Sequence, residues 1–231
     1  MQNYSSITDS VRNWLANSGK YRAESFTYPL SIPTYDELEI SQAIDSMINY
    51  RTTMWQKVEE FEQKFGDKFG GEAIMVNSGS SADLIISFAL SEKSGGNLKK
   101  GSKILIPAVT WPTQIWSVIM AGFRVELIDV DRETLNLDLD DFAKKLTSDV
   151  SAVFLVHLLG NTCDIEKLQK ICFDKKVLIL EDCCESLGTK YNSNFVGTFG
   201  LASSFSFFFA HHMVTMEGGM ILTQDAEFAH R

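Results

Sequence analysis

"SAVFLVHLLGNTCDIEKLQKICFDKKVLILEDC", Ser151 to Cys183, decides the fold class. Its two ends, "SAVFLVHLLG" and "VLILEDC", are apolar without alternation, and "DIEKLQKICFDKK" between them has helical spacing. A strand that is apolar on both faces must be covered on both faces, and a helix of this length is the usual crossover between parallel strands. The same alternation runs upstream. "EAIMVNSGS" is a short strand entering a Gly-Ser turn, "SADLIISFALSEK" a helix, "KILIPAV" a strand, "PTQIWSVIMAG" a helix, "RVELIDVD" a strand and "DLDDFAKKLT" a helix with an acidic start. Downstream the rhythm changes, because "GTFGLASSFSFFFA" and "GGMILT" are two strands with little room for a helix between them. The expectation is an α/β fold with a mostly parallel mixed sheet between helices.

Before residue 72 the pattern is helical. Residues 1–20 read as a short amphipathic helix with Val11, Trp14 and Leu15 on one stripe, stopping at Gly19. "TYPLSIPTYDE" is an extended linker punctuated by Pro29 and Pro33, followed by helices over Asp36–Asn49 and Gln56–Phe65. Residues 1–30 are therefore expected to be an N-terminal arm and 31–231 one large domain. "TQDAEFAHR" stops as a helix begins, which suggests a piece of a longer chain.

Composition excludes several classes. A net charge of −9 lacks the basic clusters that nucleic acid or an anionic membrane surface demands. No apolar run reaches the roughly 20 residues of a membrane span, and the N-terminus lacks the charged-then-apolar order of a secretory signal. Cys163, Cys172, Cys183 and Cys184 show no C-x-x-C spacing, so reduced thiols in the cytoplasm are expected.

Ligands in such sheets bind at the carboxyl ends of strands, beside helix N-termini. Four stretches fall there. In "VNSGSSADL", Gly79 permits a tight turn and the amides of Ser80 and Ser81 make an anion site, although plain helix capping explains the same residues. In "PAVTWPTQ", Trp111 is either a slab for a flat ring or a buried anchor for the next helix. In "LILEDCCESLG", Glu181 and Asp182 end an apolar strand, where a carboxylate needs a partner; a protonated ring nitrogen suits Asp182, and a helix cap is the plainer role. In "SFSFFFAHHMVTMEGGMILT", Ser204–Thr223, paired histidines precede a Glu-Gly-Gly turn. Adjacent residues of an extended strand point opposite ways, so His211 and His212 are poorly placed to grip one metal, and no metal site is expected. An anion site, an aromatic slab, a carboxylate for a pyridinium and a polar strand end together fit pyridoxal phosphate. The lysine that tethers this coenzyme should follow the aspartate strand, yet no lysine follows Lys190.

On the runs "VNSGSSADLIISFAL", "PAVTWPTQIWSVIMAGFRVELIDVDRETLNLD", "VFLVHLLGNTCDIEKLQKIC", "LILEDCCESLGTKY" and "VGTFGLASSFSFFFAHHMVTMEGGMILT", the chain resembles the DegT/DnrJ/EryC1/StrS group of nucleotide-sugar aminotransferases over residues 30–231. The resemblance implies the large domain of a type I pyridoxal-phosphate aminotransferase fold, in a homodimer, with a small C-terminal domain outside this chain. It places Gly79, Ser80 and Ser206 at the phosphate, Trp111 on the ring, Asp182 at its nitrogen and Glu185 near its hydroxyl. His211 stands at the lysine position, as in the family's 3-dehydratase branch, while His212 matches a less constrained neighbour.

A histidine cannot form the tether but keeps a base whose ordinary pKa is near working pH. Pyridoxal or pyridoxamine phosphate would then be held non-covalently. The resemblance implies condensation of the amine with the 4-keto group of a nucleotide-linked 4-keto-6-deoxy sugar, proton removal by His211 and departure of the 3-hydroxyl, within lipopolysaccharide-type deoxysugar biosynthesis. Glutamate restores the amine in one version of the cycle; in another, electrons arrive through an iron–sulfur cluster whose cysteines lie beyond Arg231. The alternatives are an aminotransferase of the same family with a changed base and a silent relative that only binds sugar nucleotide.

Overall fold

The computed structural model describes residues 5–17, 31, 35–49, 52–93 and 96–230, in two compact units, Met1–Glu60 and Phe61–Arg231. The expected helix stop at Gly19 and the Pro29–Pro33 linker lie outside the described residues.

In the first unit, helix α1 (Ser5–Asn17) packs on α2 (Glu37–Ile48), tied by Arg12 Nε donating to Glu37 at 3.0 Å. Val11 and Leu15 are half-buried, but Trp14 is exposed and does not share their stripe. Asp36 starts α2 as its N-cap, and Glu39 reaches back to the Asp36 amide at 2.8 Å, so two orphan amides of the first turn are satisfied reciprocally.

Helix α3 (Gln56–Phe69) begins before the unit boundary and runs four residues past the expected end at Phe65. The second unit is built on strands β1 (Glu72–Val76), β2 (Lys103–Pro107), β3 (Arg124–Ile128), β4 (Val150–Val156), β5 (Leu178–Asp182), β8 (Ala202–Ser206) and β9 (Gly219–Thr223). They form one sheet in the order β1-β9-β8-β5-β4-β2-β3, with β9 antiparallel to both its neighbours and every other pair parallel. The mixed portion expected near the C-terminus is β9, inserted between β8 and β1. Six strands therefore point their carboxyl ends to one edge. A small hairpin, β6 (Lys190–Tyr191) with β7 (Asn194–Phe195), turns through Asn192 and Ser193 at φ 45° and 71°, the doubly left-handed geometry of a tight hairpin.

Pleating sorts the core. Leu180, Phe154, Ile104, Ile106 and Ala202 face α4 (Gly79–Ala89) and α5 (Pro112–Met120). Leu105, Val153, Leu155 and Ile179 face the opposite side, with α6 (Leu139–Lys145) and α7 (Ile165–Lys175) supplying Phe142, Leu168 and Cys172. That second face continues under α3, where Phe65 meets Phe205 at 5.1 Å between ring centroids and Phe207 at 6.0 Å. Each buried phenyl contributes about 1.5–3 kcal/mol, and each such ring pair about 0.5–1.5 kcal/mol more. This aromatic layer fixes β8, whose end carries Ser206 and leads to His211.

Candidate active site

Four segments leave the sheet at its carboxyl edge and meet there. The first is the turn from β1 into α4. Ser78 is the N-cap, its hydroxyl accepting from the Ser81 amide at 3.1 Å, so the plain capping role is real and belongs to Ser78. Gly79 is not in the left-handed region. Its need is for space: a Cβ there would lie 2.8 Å from both Ser206 Cβ and Cys184 Sγ. Gly219 serves the same turn, since a Cβ on it would strike the Ser78 carbonyl and come within 2.6 Å of the Gly79 nitrogen. Ser80 Oγ lies 2.9 Å from Thr113 Oγ1, which brings the starts of α4 and α5 together. The N-termini of α4 and α5 and the Ser80 and Thr113 hydroxyls thus meet at this edge, with Gly79 letting the turn pack directly against Ser206, a setting suited to a phosphate.

Trp111 occupies the cap position of α5 without making a side-chain cap bond, and Pro112 opens the helix. It is 68% exposed, which removes the buried-anchor reading and leaves the indole available to stack on a ring. From the same segment comes Gln114, fully buried. Thr110 donates to its amide oxygen at 2.7 Å, which turns the amide nitrogen toward Asp182 Oδ2 at 3.4 Å.

Asp182 ends β5 on the α4/α5 face, 5% exposed, with Oδ1 accepting from the Cys184 amide at 3.0 Å. Burial raises its pKa, and the Cys184 amide pulls it back. Glu181, one residue earlier, points to the other face. Its oxygens accept from the amides of Gly197 (2.8 Å), Phe199 and Gly200 (both 2.7 Å), and pair with His157 Nε2 at 3.0 Å. The donor atoms of His157, Glu181 and Cys183 lie within 4.8 Å of one another, but Glu181 is already engaged by three amides and an imidazole. Cys183 is buried and Cys184 half-buried; all four cysteines are free.

Glu185 is half-buried and accepts from the Leu159 amide at 3.1 Å. Leu159 holds φ 54°, an uncommon conformation for a branched apolar residue, and is 74% exposed at the end of β4. β8 ends at Ser206, whose Oγ accepts weakly from the Phe208 amide at 3.4 Å. His211 and His212 therefore lie in a turn and not in a strand, which corrects the premise that they point opposite ways because the chain is extended there. His211 is half-buried, its amide donating to the Phe208 carbonyl at 2.9 Å; His212 is exposed. Burial lowers the His211 pKa, the charges of Glu185 and Asp182 oppose that, and His212 adds to it. Glu185 and Asp182 are thus the acidic groups whose charge reaches the His211 ring.

All seven residues singled out from the sequence, Gly79, Ser80, Trp111, Asp182, Glu185, Ser206 and His211, belong to segments at this edge. Sequence reading missed Ser78, Thr113, Gln114 and Gly219. Gln114 carried a signal: it shares the inward helical stripe with Ser117 and Val118. Gly219 lay unread in the Glu-Gly-Gly turn.

Residues 33–231 match the DegT/DnrJ/EryC1/StrS aminotransferase family. The GDP-4-keto-6-deoxy-D-mannose 3-dehydratase of Escherichia coli O55:H7 is 40% identical over 205 residues, covering 88% of this chain and 53% of that protein. The solved structure of the E. coli GDP-4-keto-6-deoxy-D-mannose-3-dehydratase with bound hydrated PLP superposes with a TM-score of 0.83 at 40% identity, again over 88% of this chain and 53% of that one. A structure of GDP-4-keto-6-deoxymannose-3-dehydratase with a trapped PLP-glutamate geminal diamine matches equally, with the same identity, coverage and score. The chain spans about half the length of these relatives. It belongs to the DegT/DnrJ/EryC1/StrS family.

Proposed function

From this membership and from the histidine at the tether position, we propose that the chain carries the coenzyme site of a pyridoxal- or pyridoxamine-phosphate-dependent 3-dehydratase acting on a nucleotide-linked 4-keto-6-deoxyhexose. The reading rests on His211, half-buried in the turn after β8, where the charges of Glu185 and Asp182 act on its ring, with no lysine between Tyr191 and Arg231.

The residues fit the coenzyme. Gly79 and Gly219 let the β1–α4 turn pack tightly on β8 and β9, and Ser80 and Thr113, with Ser206 against Gly79, offer hydroxyls to a phosphate beside the helix N-termini. Exposed Trp111 offers a face for the ring. Asp182 accepts bonds from the Cys184 amide and Gln114, an arrangement that suits an ionised partner for a protonated ring nitrogen. Glu185, steadied by the Leu159 amide, serves the ring hydroxyl. When bound, the coenzyme supplies an electron sink for the carbon bearing its amine. His211 then does the proton work of the absent lysine: its lowered pKa keeps the imidazole neutral and able to accept a proton from that carbon, and the resulting imidazolium can protonate the departing 3-hydroxyl.

The names of the relatives support a GDP-linked substrate, and the glutamate adduct trapped in one of them supports glutamate as amino donor over an iron–sulfur route. The exposed apolar side chains Ile85, Phe88, Trp116, Ile119 and Met120 on α4 and α5 support a homodimer. Among the described residues no helix is long and apolar enough to cross a membrane, and free thiols suit a cytoplasmic enzyme of lipopolysaccharide-type deoxysugar synthesis.

The test is coenzyme retention. Pyridoxal phosphate should bind, show no borohydride-fixable link to the protein and leave on dialysis, and pyridoxamine phosphate should support loss of the sugar 3-hydroxyl. A chromophore fixed to the chain by borohydride, or faster dehydration by His211→Lys than by the parent, would favour an ordinary aminotransferase. No binding at all would favour the silent relative.

A further inference from the structure

Asp83 is the one acidic residue of α4, and it sits on the inward stripe with Gly79, Ala82, Ile86 and Ser87. It is 2% exposed, and its Oδ1 has no hydrogen-bond partner. The elements packed on α4 offer no cation. α5, β8 and β9 contain no ionisable residue, and the only one in β1, Glu72, is exposed at its far end. The titratable groups that face Asp83 are Asp182, which is buried across from Ser204 in the β5–β8 register, and the Cys183 and Cys184 thiols, both pushed well up by burial. Ser204, opposite Asp182 on β8, turns toward Asp83 a hydroxyl that pulls its pKa back, although Ser204 Oγ completes no hydrogen bond of good geometry.

The histidines that act on the pair, His157 and His211, act on Asp182, and no positive group acts on Asp83, so of the two buried carboxyls one is short of counter-charge and keeps its proton. The bonds say which. Each oxygen of Asp182 faces an N–H donor, the Cys184 amide at 3.0 Å and the Gln114 amide group at 3.4 Å, and a carboxyl with a donor on each oxygen favours the ionised form. No such donor reaches Asp83 Oδ1. We propose that Asp83 is a neutral carboxylic acid at working pH and a positioning residue for the coenzyme site, holding the proton of the Asp83–Asp182 pair so that Asp182 alone carries the negative charge. Burial, and then the Asp182 charge, raise Asp83 in keeping with this. The role of Asp182 toward a ring nitrogen rests on the proposed function; the location of the proton does not.

Infrared difference spectra of the coenzyme-free protein at neutral pH read that location. The carbonyl stretch of a protonated carboxylic acid should appear in the parent, vanish in Asp83→Asn and persist in Asp182→Asn. Asp83→Ser is the second variant should Asn fail to accumulate. The sign of the stability change is also fixed. Asp83 is raised in the folded state, so its contribution favours folding below the ordinary aspartate value and is lost as pH climbs toward the raised one. The parent's folding constant should therefore fall relative to that of Asp83→Asn by about tenfold per pH unit across that interval. Asp83→Asn should bind pyridoxamine phosphate within about threefold of the parent, and Asp182→Asn at least tenfold more weakly. Absence of the acid band, or a band that disappears with Asp182→Asn and stays in Asp83→Asn, overturns the proposal. So does a tenfold loss of coenzyme in Asp83→Asn. A band on Asp83 in a protein that binds no coenzyme sinks the functional reading and leaves the proton assignment standing.

Discussion

Glu181 and Asp182 are neighbours on β5, both buried, and they face opposite sides of one sheet. On the Glu181 side every acceptor is used: three amides of the 197–200 loop and the His157 ring close on it. On the Asp182 side the partners are fewer and longer, a 3.0 Å amide and a 3.4 Å side-chain contact, and the segments leaving this edge of the sheet carry an exposed indole, Trp111, and a half-buried imidazole, His211. Each face thus holds a carboxylate and a histidine. His157 is sealed with Glu181, whereas His211 is wet enough to exchange protons. A carboxylate satisfied internally, like Glu181, builds the fold, whereas one with fewer partners, like Asp182, keeps capacity for a further donor.

The widest gap should appear in stability. Glu181→Leu leaves three amides and an imidazole without their acceptor, at a cost of about 3–5 kcal/mol. The denaturation midpoint should collapse, with any protein that still folds losing order over residues 197–200. If this variant instead kept its midpoint and lost only turnover, the two faces would have exchanged roles.

Gly79→Ala sharpens the contrast on the open side. Its methyl would press on Ser206 and Cys184, and overpacking of this kind costs about 1–3 kcal/mol. Because the strain falls on the turn proposed to hold the phosphate, pyridoxamine phosphate titration should show a larger loss than thermal unfolding does. Equal losses in the two measurements would mean that the glycine serves packing alone.

Much of this contrast was legible in the sequence, and its gaps have physical causes. Apolar runs around residues 153 and 179 fixed the layered architecture, since only a sheet covered on both faces explains them. The helix over 36–49 was legible to within a residue because Asp36 and Asn49 cap it. The insertion of β9 beside β1 was not, because strand order depends on contacts more than 140 residues apart. Nor could the pairing of Glu181 be read: its partners are backbone amides, which leave no mark on residue type. Asp182 stood out because a carboxylate is chemically out of place at the end of an apolar strand, and Trp111 and His211 because each follows such a strand. Gln114 and Asp83 were equally out of place, on inward helical stripes, and went unread behind their apolar neighbours. The expected opposition of His211 and His212 failed because β8 stops at Ser206 and the chain turns before reaching them.

The finest test concerns the charge beside His211. Its pKa is lowered by burial and supported by Glu185 first and Asp182 second. Only the neutral ring accepts a proton, so turnover should rise with pH through this pKa, giving an acid limb below the ordinary imidazole range. Removing one supporting charge with Glu185→Gln should move that limb further down, because the charged ring loses a stabilising neighbour while burial still opposes it. The shift should shrink as salt is added, since a half-buried pair is partly screened. Glutamine keeps an oxygen for the Leu159 amide, so the turn at the end of β4 should stay closed and the denaturation midpoint should hold. A limb that moves upward, or one that does not move while the midpoint falls, would place Glu185 with Glu181 among the residues that build the fold and would leave His211 answering to Asp182 alone.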